Sequence, residues 1–229
     1  MELAIITVKQ VLELFVLIIS GIFLYKKNII REDGKKLLSD ILIKFVVPCM
    51  IINSYMGKFN DEVLDNIGKS FIYSIILCVL GIVISLAVSF VVSDEHKGIF
   101  RFACSFSNAA YMGFPLIQAL FGAEGILYAS VYVTVYNILL WTVGYSSVTK
   151  KVNVKEIAKS ILTAPCIIAV FIGLILYGLN VYVPDIIVTP LSMIAAINTP
   201  GSMIITGVTI AGSSMAVLLK NKRLFEVIG

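Results

Sequence analysis

Four residues within one short stretch have types and spacing that could do chemistry together. They are Asn108, Tyr111, Gly113 and Pro115, inside CSFSNAAYMGFPLIQALFG, Cys104 to Gly122. On a continuous helix Asn108, Tyr111, Met112 and Pro115 would share one face, by i, i+3, i+4, i+7 spacing. Pro115 has no N–H, so the Tyr111 carbonyl would lose its helical partner. Pro115 also disfavours helical angles at Phe114, while Gly113 tolerates whatever backbone path results. The Asn108 amide adds a donor and an acceptor one to two turns earlier. Together these residues predict a polar, uncharged cradle, followed by a half-helix N-terminus that favours anionic groups. The alternative is a proline kink that improves packing, with Asn108 bonded to a neighbouring helix.

The elements that must position these residues are membrane spans. The chain has 229 residues, 59% of them hydrophobic and 14% charged, against about 25% charged for a soluble domain. Phe71 to Val92, Gly125 to Thr149, Ser160 to Pro184 and Ile186 to Leu219 carry no charge. Each is long enough to cross a hydrocarbon core, which takes about 20 residues of helix. Backbone groups in lipid must be satisfied within the segment, so the fold class is an all-α polytopic membrane protein. Freed backbone groups at that depth are tolerated where they are buried in protein or line a wet cavity.

Seven spans are predicted, roughly 4–25, 36–56, 70–92, 98–121, 125–148, 158–179 and 186–218. Alternate links, with the C-terminal tail, hold fourteen Lys and Arg residues on one side and two on the other. The positive-inside rule then places the N-terminus outside and the first, third and fifth links in the cytoplasm. The N-terminus lacks the basic start and cleavage site of a signal peptide.

An internal repeat is legible at an offset of 152 residues. Gly21, Leu24, Tyr25 and Asn28 align with Gly173, Leu176, Tyr177 and Asn180, and Pro48 aligns with Pro200. Five spans separate the copies, and five is odd, so the second copy enters the membrane inverted. Inverted repeats with broken helices characterise many secondary transporters, whose sites lie near the midplane. The repeat divides the chain into 1–152, a first five-helix unit, and 153–229, an incomplete second unit. The same offset carries Asn108 and Pro115 past Gly229, so the sequence is expected to be a truncated form of a longer protein. About seven of an expected ten spans are present.

The segments SNAAYMGFPLIQALFGAEG and YVTVYNILLWTVG closely resemble the auxin efflux carrier family, and the resemblance covers the whole chain. Its most specific element is N-x-x-x-x-G-x-P in the fourth span, here Asn108, Gly113 and Pro115. Tyr136, Asn137, Trp141 and Gly144 fit the family's fifth span, TAPCIIAVFIGLILY its sixth and NTPGSMIITGVTIAG its seventh. Family members include plant auxin exporters and bacterial permeases for malate- or malonate-like acids. The resemblance implies ten spans as two inverted five-helix repeats, with broken helices four and nine flanking the substrate. It also implies that Asn108 and the backbone near Pro115 help bind a carboxylate. The chain departs from the family in lacking spans eight to ten.

The expected activity is secondary transport of small organic anions, such as dicarboxylates or auxin-like carboxylates, by alternating access at the plasma membrane. The alternative is a non-transporting fragment or helical scaffold of the same family. An enzyme is not expected, because no clustered His, Asp/Glu or Ser/Lys set lies at one depth. Pro48, Asn53, Asn137, Asn198 and Pro200 are candidate cavity-lining residues, although each asparagine could equally be interhelical glue. Lys9 with Glu13, and Asp40 with Lys44, have the i, i+4 spacing of ion pairs. Trp141, Tyr128, Tyr132 and Tyr136 read as packing or interface anchors, and Phe71 and Tyr73 as lipid-facing bulk. Cys49, Cys78, Cys104 and Cys166 are scattered without CxxC spacing and read as packing residues. His96, in the polar link SDEHKG, reads as a solvated loop residue. No metal or cofactor is expected, apart from a coupling proton or sodium ion. The expected partners are a small organic acid, the lipid bilayer and, in a homodimer, a second copy of the chain. The net charge of +4 follows from the positive-inside bias and implies no nucleic acid.

Overall fold

The first apolar run forms α1, Glu2–Lys26, and ends where Asn28 takes a left-handed conformation, φ 56°. Lys27 N–H donates to Phe23 O and Ile29 N–H to Leu24 O, both at 3.0 Å, the bonds expected of a helix closed by a left-handed residue. The same two bonds recur 152 residues later, Leu179 N–H to Ile175 O and Val181 N–H to Leu176 O, again at 3.0 Å. These close α9, Pro165–Gly178.

The computed structural model describes residues 2–56, 61–91, 97–106, 113–149, 154–179 and 181–213. They are helical throughout, with short connections and no strand among them. After α1 come α2 (Glu32–Ile41) and α3 (Val47–Ser54), joined by a π-helical turn over Leu42–Val46. Pro48 follows that turn directly, inside a helical stretch that runs unbroken over Glu32–Ser54, and the π turn falls where a proline ring and a missing N–H disturb the ladder. Next are α4 (Asp61–Val88), α5 (Lys97–Ser105), α6 (Phe114–Leu139) and α7 (Tyr145–Thr149), with a second π turn at Leu140–Gly144. The chain closes with α8 (Val154–Leu162), α9, α10 (Asp185–Ala196) and α11 (Asn198–Gly212).

Five of these helical stretches are long and apolar enough to cross a membrane. One of them, Phe114–Val148, contains a reversal. Gly122 has φ 62° and ψ −146°, outside the helical region. A Cβ built on Gly125 would lie 3.3 Å from Ile117 O, whereas eight residues of helix would separate the two by about 12 Å. The chain therefore doubles back at Gly122, between the ends expected for spans four and five.

The sixth span departs from the expected single helix over 158–179. It is cut at Thr163–Ala164 into α8 and α9. Ala164 is extended, φ −66° and ψ 118°, as a residue preceding proline prefers, and Pro165 opens α9. The seventh span is likewise cut at Ile197, three residues before Pro200.

Packing divides the helices into two bundles. In the first, α1 lies along α11, and α3 packs on α9 and α10. Ile18 lies against Gly207 and Tyr25 against Gly212, so α1 and α11 run in the same direction. In the second bundle, α4 packs on α5 and α6, and α5 on α7. The Ser105 hydroxyl meets that of Ser85 at 2.6 Å, and Arg101 Nε donates to Ser89 at 2.8 Å. The outer face of α4, including Phe71 and Tyr73, is exposed, as expected of lipid-facing bulk. The core lies where the bundles meet, among Val47, Met50, Ile51 and Tyr55 of α3, Phe114, Leu127 and Val133 of α6, and Val170 of α9.

Candidate functional site

Asn108 and Tyr111 lie outside the described residues; Gly113 and Pro115 are placed. Gly113 has right-handed helical angles, φ −68° and ψ −54°, and α6 starts at Phe114. The expectation that Pro115 drives Phe114 off the helix is therefore overturned. Pro115 occupies the first turn of α6, directly after the helical Gly113, where its ring is compatible with helical geometry. Phe114 and Pro115 are both fully buried, which anchors the half-helix 114–121 at the base of the second bundle.

The end of that half-helix near Gly122 is tied to the first bundle by two polar contacts. Gln10 Nε2 of α1 donates to Ala119 O at 2.5 Å, and Thr199 Oγ1 of α11 donates to Gln118 Oε1 at 3.1 Å. Gln10 Oε1 is buried without a hydrogen-bond partner among the described residues. Beside Thr199, Asn198 is fully enclosed, and neither its amide oxygen nor its nitrogen has a hydrogen-bond partner among the described residues. Burying an unpaired amide costs about 1–3 kcal/mol, and such a group calls for a ligand or water. A third contact, Tyr55 Oη with Ser130 Oγ at 3.0 Å, joins α3 to α6 in the buried centre.

Toward the opposite end the bundles part. A cavity of about 320 Å³ lies between Ile43, Thr163, Ala164, Pro165 and Cys166 on one side and Asn137 and Trp141 on the other, with Ser160 also on its wall. A second, of about 210 Å³, shares Trp141 and Ser160 and adds Tyr145, Ile157 and Lys159. Of the residues proposed to line a cavity, Asn137 does so, although its Nδ2 is engaged with Val133 O at 2.8 Å. Pro48, Asn53 and Pro200 are half-buried and line neither cavity, and Asn198 is sealed near the tied end.

Lys44 pairs with Asp40 at 3.1 Å, as their spacing predicts. Lys9 and Glu13 form no ion pair among the described residues, and both stand exposed. Trp141, read as an anchor, is a wall of both cavities, and Tyr132 and Tyr136 stack in the second bundle at 6.1 Å between ring centroids. Sequence reasoning missed Gln10, Gln118, Thr199, Tyr55 and Ser130. Their only signal was polarity within otherwise apolar runs.

Two packed bundles of apolar helices, five of whose helical stretches are long and apolar enough to cross a bilayer, meeting through a few buried polar groups and a cavity, define the class as a multi-pass membrane protein. Residues 6–163 match the family model described as membrane transport protein, and the chain belongs to that family. It is 24% identical over 217 residues to an uncharacterized transporter of Methanocaldococcus jannaschii, covering 90% of this chain and 69% of that one. It is 21% identical over 155 residues to one from Schizosaccharomyces pombe, covering 58% of this chain and 34% of the relative. A counterpart in Saccharomyces cerevisiae is 22% identical over 150 residues, covering 61% and 26%. The chain thus spans about a third or less of the length of the two fungal relatives.

Proposed function

We propose that this chain carries small organic anions across the plasma membrane as a secondary transporter, by alternating access between its two bundles. The observation that carries this reading is how the bundles meet. They are tied near Gly122 through Gln10, Gln118 and Thr199 and open onto a cavity at the Trp141 end. A site between two bundles, closed at one end and open at the other, is one phase of alternating access.

The inverted repeat is part of the same reading. It is supported by the helix-closing bonds that recur at an offset of 152 and by the matched interruptions before Pro48 and Pro200. In this scheme 1–152 is one unit and 153–229 the start of the other, with the N-terminus outside. Asn108, Tyr111, Gly113 and Pro115 would receive the substrate carboxylate, through the amide and the positive end of the half-helix. The Asn198 amide supplies unpaired donor and acceptor capacity at the tied end. A proton or sodium gradient would drive the cycle, and a homodimer is a compatible assembly.

Uptake of labelled dicarboxylates into proteoliposomes, under imposed pH and sodium gradients, tests the proposal. Saturable uptake is expected, and Asn108→Ala should abolish it while leaving the melting temperature unchanged. Normal uptake by that variant refutes the site. Absence of uptake by the folded wild-type chain favours a helical scaffold instead.

A further inference from the structure

The cleft at the parted end has a chemistry of its own. Its two cavities share Trp141 and Ser160, and Lys159 stands at the outer one. Thr163 Oγ1 is committed to Lys159 O at 2.8 Å and Asn137 Nδ2 to Val133 O. The donors left to a ligand are the Lys159 ammonium, the Ser160 hydroxyl, the Trp141 indole N–H and the second N–H of the Asn137 amide. No carboxylate appears among the described residues of the lining. The positive end of α9, a helix of 14 residues, opens on the inner cavity at Ala164–Cys166 and reinforces the same sign.

The element bearing Lys159 is not a span. Helix α8 has only nine residues, VKEIAKSIL, far short of the hydrocarbon thickness. Lys155, Lys159 and Leu162 are exposed, while Ile157 and Ser160 turn toward the cleft. A short amphipathic helix with lysines belongs at the membrane interface, where anionic headgroups concentrate. Exposed Leu162, Ile168, Phe171 and Ile172 continue from α8 along α9 as an apolar surface.

We infer that this cleft is a binding site for a phosphate-type oxyanion carrying an apolar body, the headgroup end of an anionic phospholipid. The oxyanion sits against Lys159 and Ser160, and the glycerol and upper acyl segments lie over Trp141. One wall is the Trp141 turn of the second bundle and the other is α8 with the start of α9, so an occupant bridges the two. The inference concerns binding and stands apart from the transported substrate.

Trp141 is the single tryptophan of the chain, so its fluorescence reports on the cleft without a label. The protein is placed in nanodiscs of phosphatidylcholine doped with acyl-brominated phosphatidylglycerol or, at equal mole fraction, acyl-brominated phosphatidylcholine. Brominated phosphatidylglycerol should quench Trp141 severalfold more strongly, and saturably. Lys159→Gln, at an exposed position, should weaken that preference about fivefold without changing the melting temperature. Glycerol 3-phosphate then separates the two sources of the oxyanion. Relief of quenching supports an oxyanion site that is also open to solution, and no relief supports a site filled only from the bilayer. Equal quenching by both lipids, or a preference unchanged in Lys159→Gln, overturns the inference.

Discussion

Two seams of the first bundle occupy corresponding places at an offset of 152, yet they are built differently. Where α1 crosses α11, glycine meets glycine. A Cβ on Gly207 would collide with Ile18 O and stand 3.0 Å from Gly21 Cα, and one on Gly21 would collide with Ile204 O. The helices touch through their backbones, the close approach that small residues permit in membranes. Where α3 meets α9, Gly173 corresponds to Gly21, but Tyr55 stands at the position of Gly207. The ring of Tyr55 fills the space, its Cδ2 being 2.5 Å from where a Gly173 Cβ would be. Its hydroxyl crosses to Ser130 of the other bundle. One seam is therefore closed within its bundle, while the other extends across the boundary between bundles. Side-chain size at one position of an otherwise matching register sets this difference.

The strongest way to break the comparison is Gly207→Ala. Its Cβ meets backbone that cannot rotate away, so α1 and α11 must separate. A loss of about 3 kcal/mol is expected, read as a large drop in the unfolding midpoint in detergent. Gly173→Ala meets a side chain instead, and the Tyr55 ring can tilt. Its cost should be about 1–2 kcal/mol, and Tyr55→Leu should remove most of that cost in a double-mutant cycle. Equal losses for the two alanines would end the distinction between a backbone seam and a ring seam. The smallest effect is expected at the boundary near Gly122. Thr199→Val removes the bond to Gln118 for about 1 kcal/mol or less. Hydrogen exchange of 114–121 should nonetheless quicken, and unchanged exchange would show that the contact does not hold the bundles together.

Much of the fold was legible because its signals are local. Apolar runs gave the helices, and the gap between the fourth and fifth predicted spans falls at Gly122. The split of the sixth span was also written locally, in Thr-Ala-Pro at 163–165, and was passed over because the whole run is apolar. The candidate site was less legible. Asn137 was singled out and does line a cavity, but Trp141 was read as an anchor and Lys159 was not singled out. Asn198 was selected as polar at plausible depth, while its complete burial depends on helices far away in sequence.

The sequence by itself determined an all-helical membrane protein, where its apolar runs lie, and a register of 152 between Gly21 and Gly173. These follow from hydration and backbone chemistry, which act on neighbours along the chain. Only the tertiary structure decided that α1 lies on α11, that Tyr55 reaches Ser130, and that the bundles are tied near Gly122 and parted at Trp141. Such pairings depend on shape and on which polar groups meet across the packed interior, and those contacts join residues as far apart in sequence as Ile18 and Gly207.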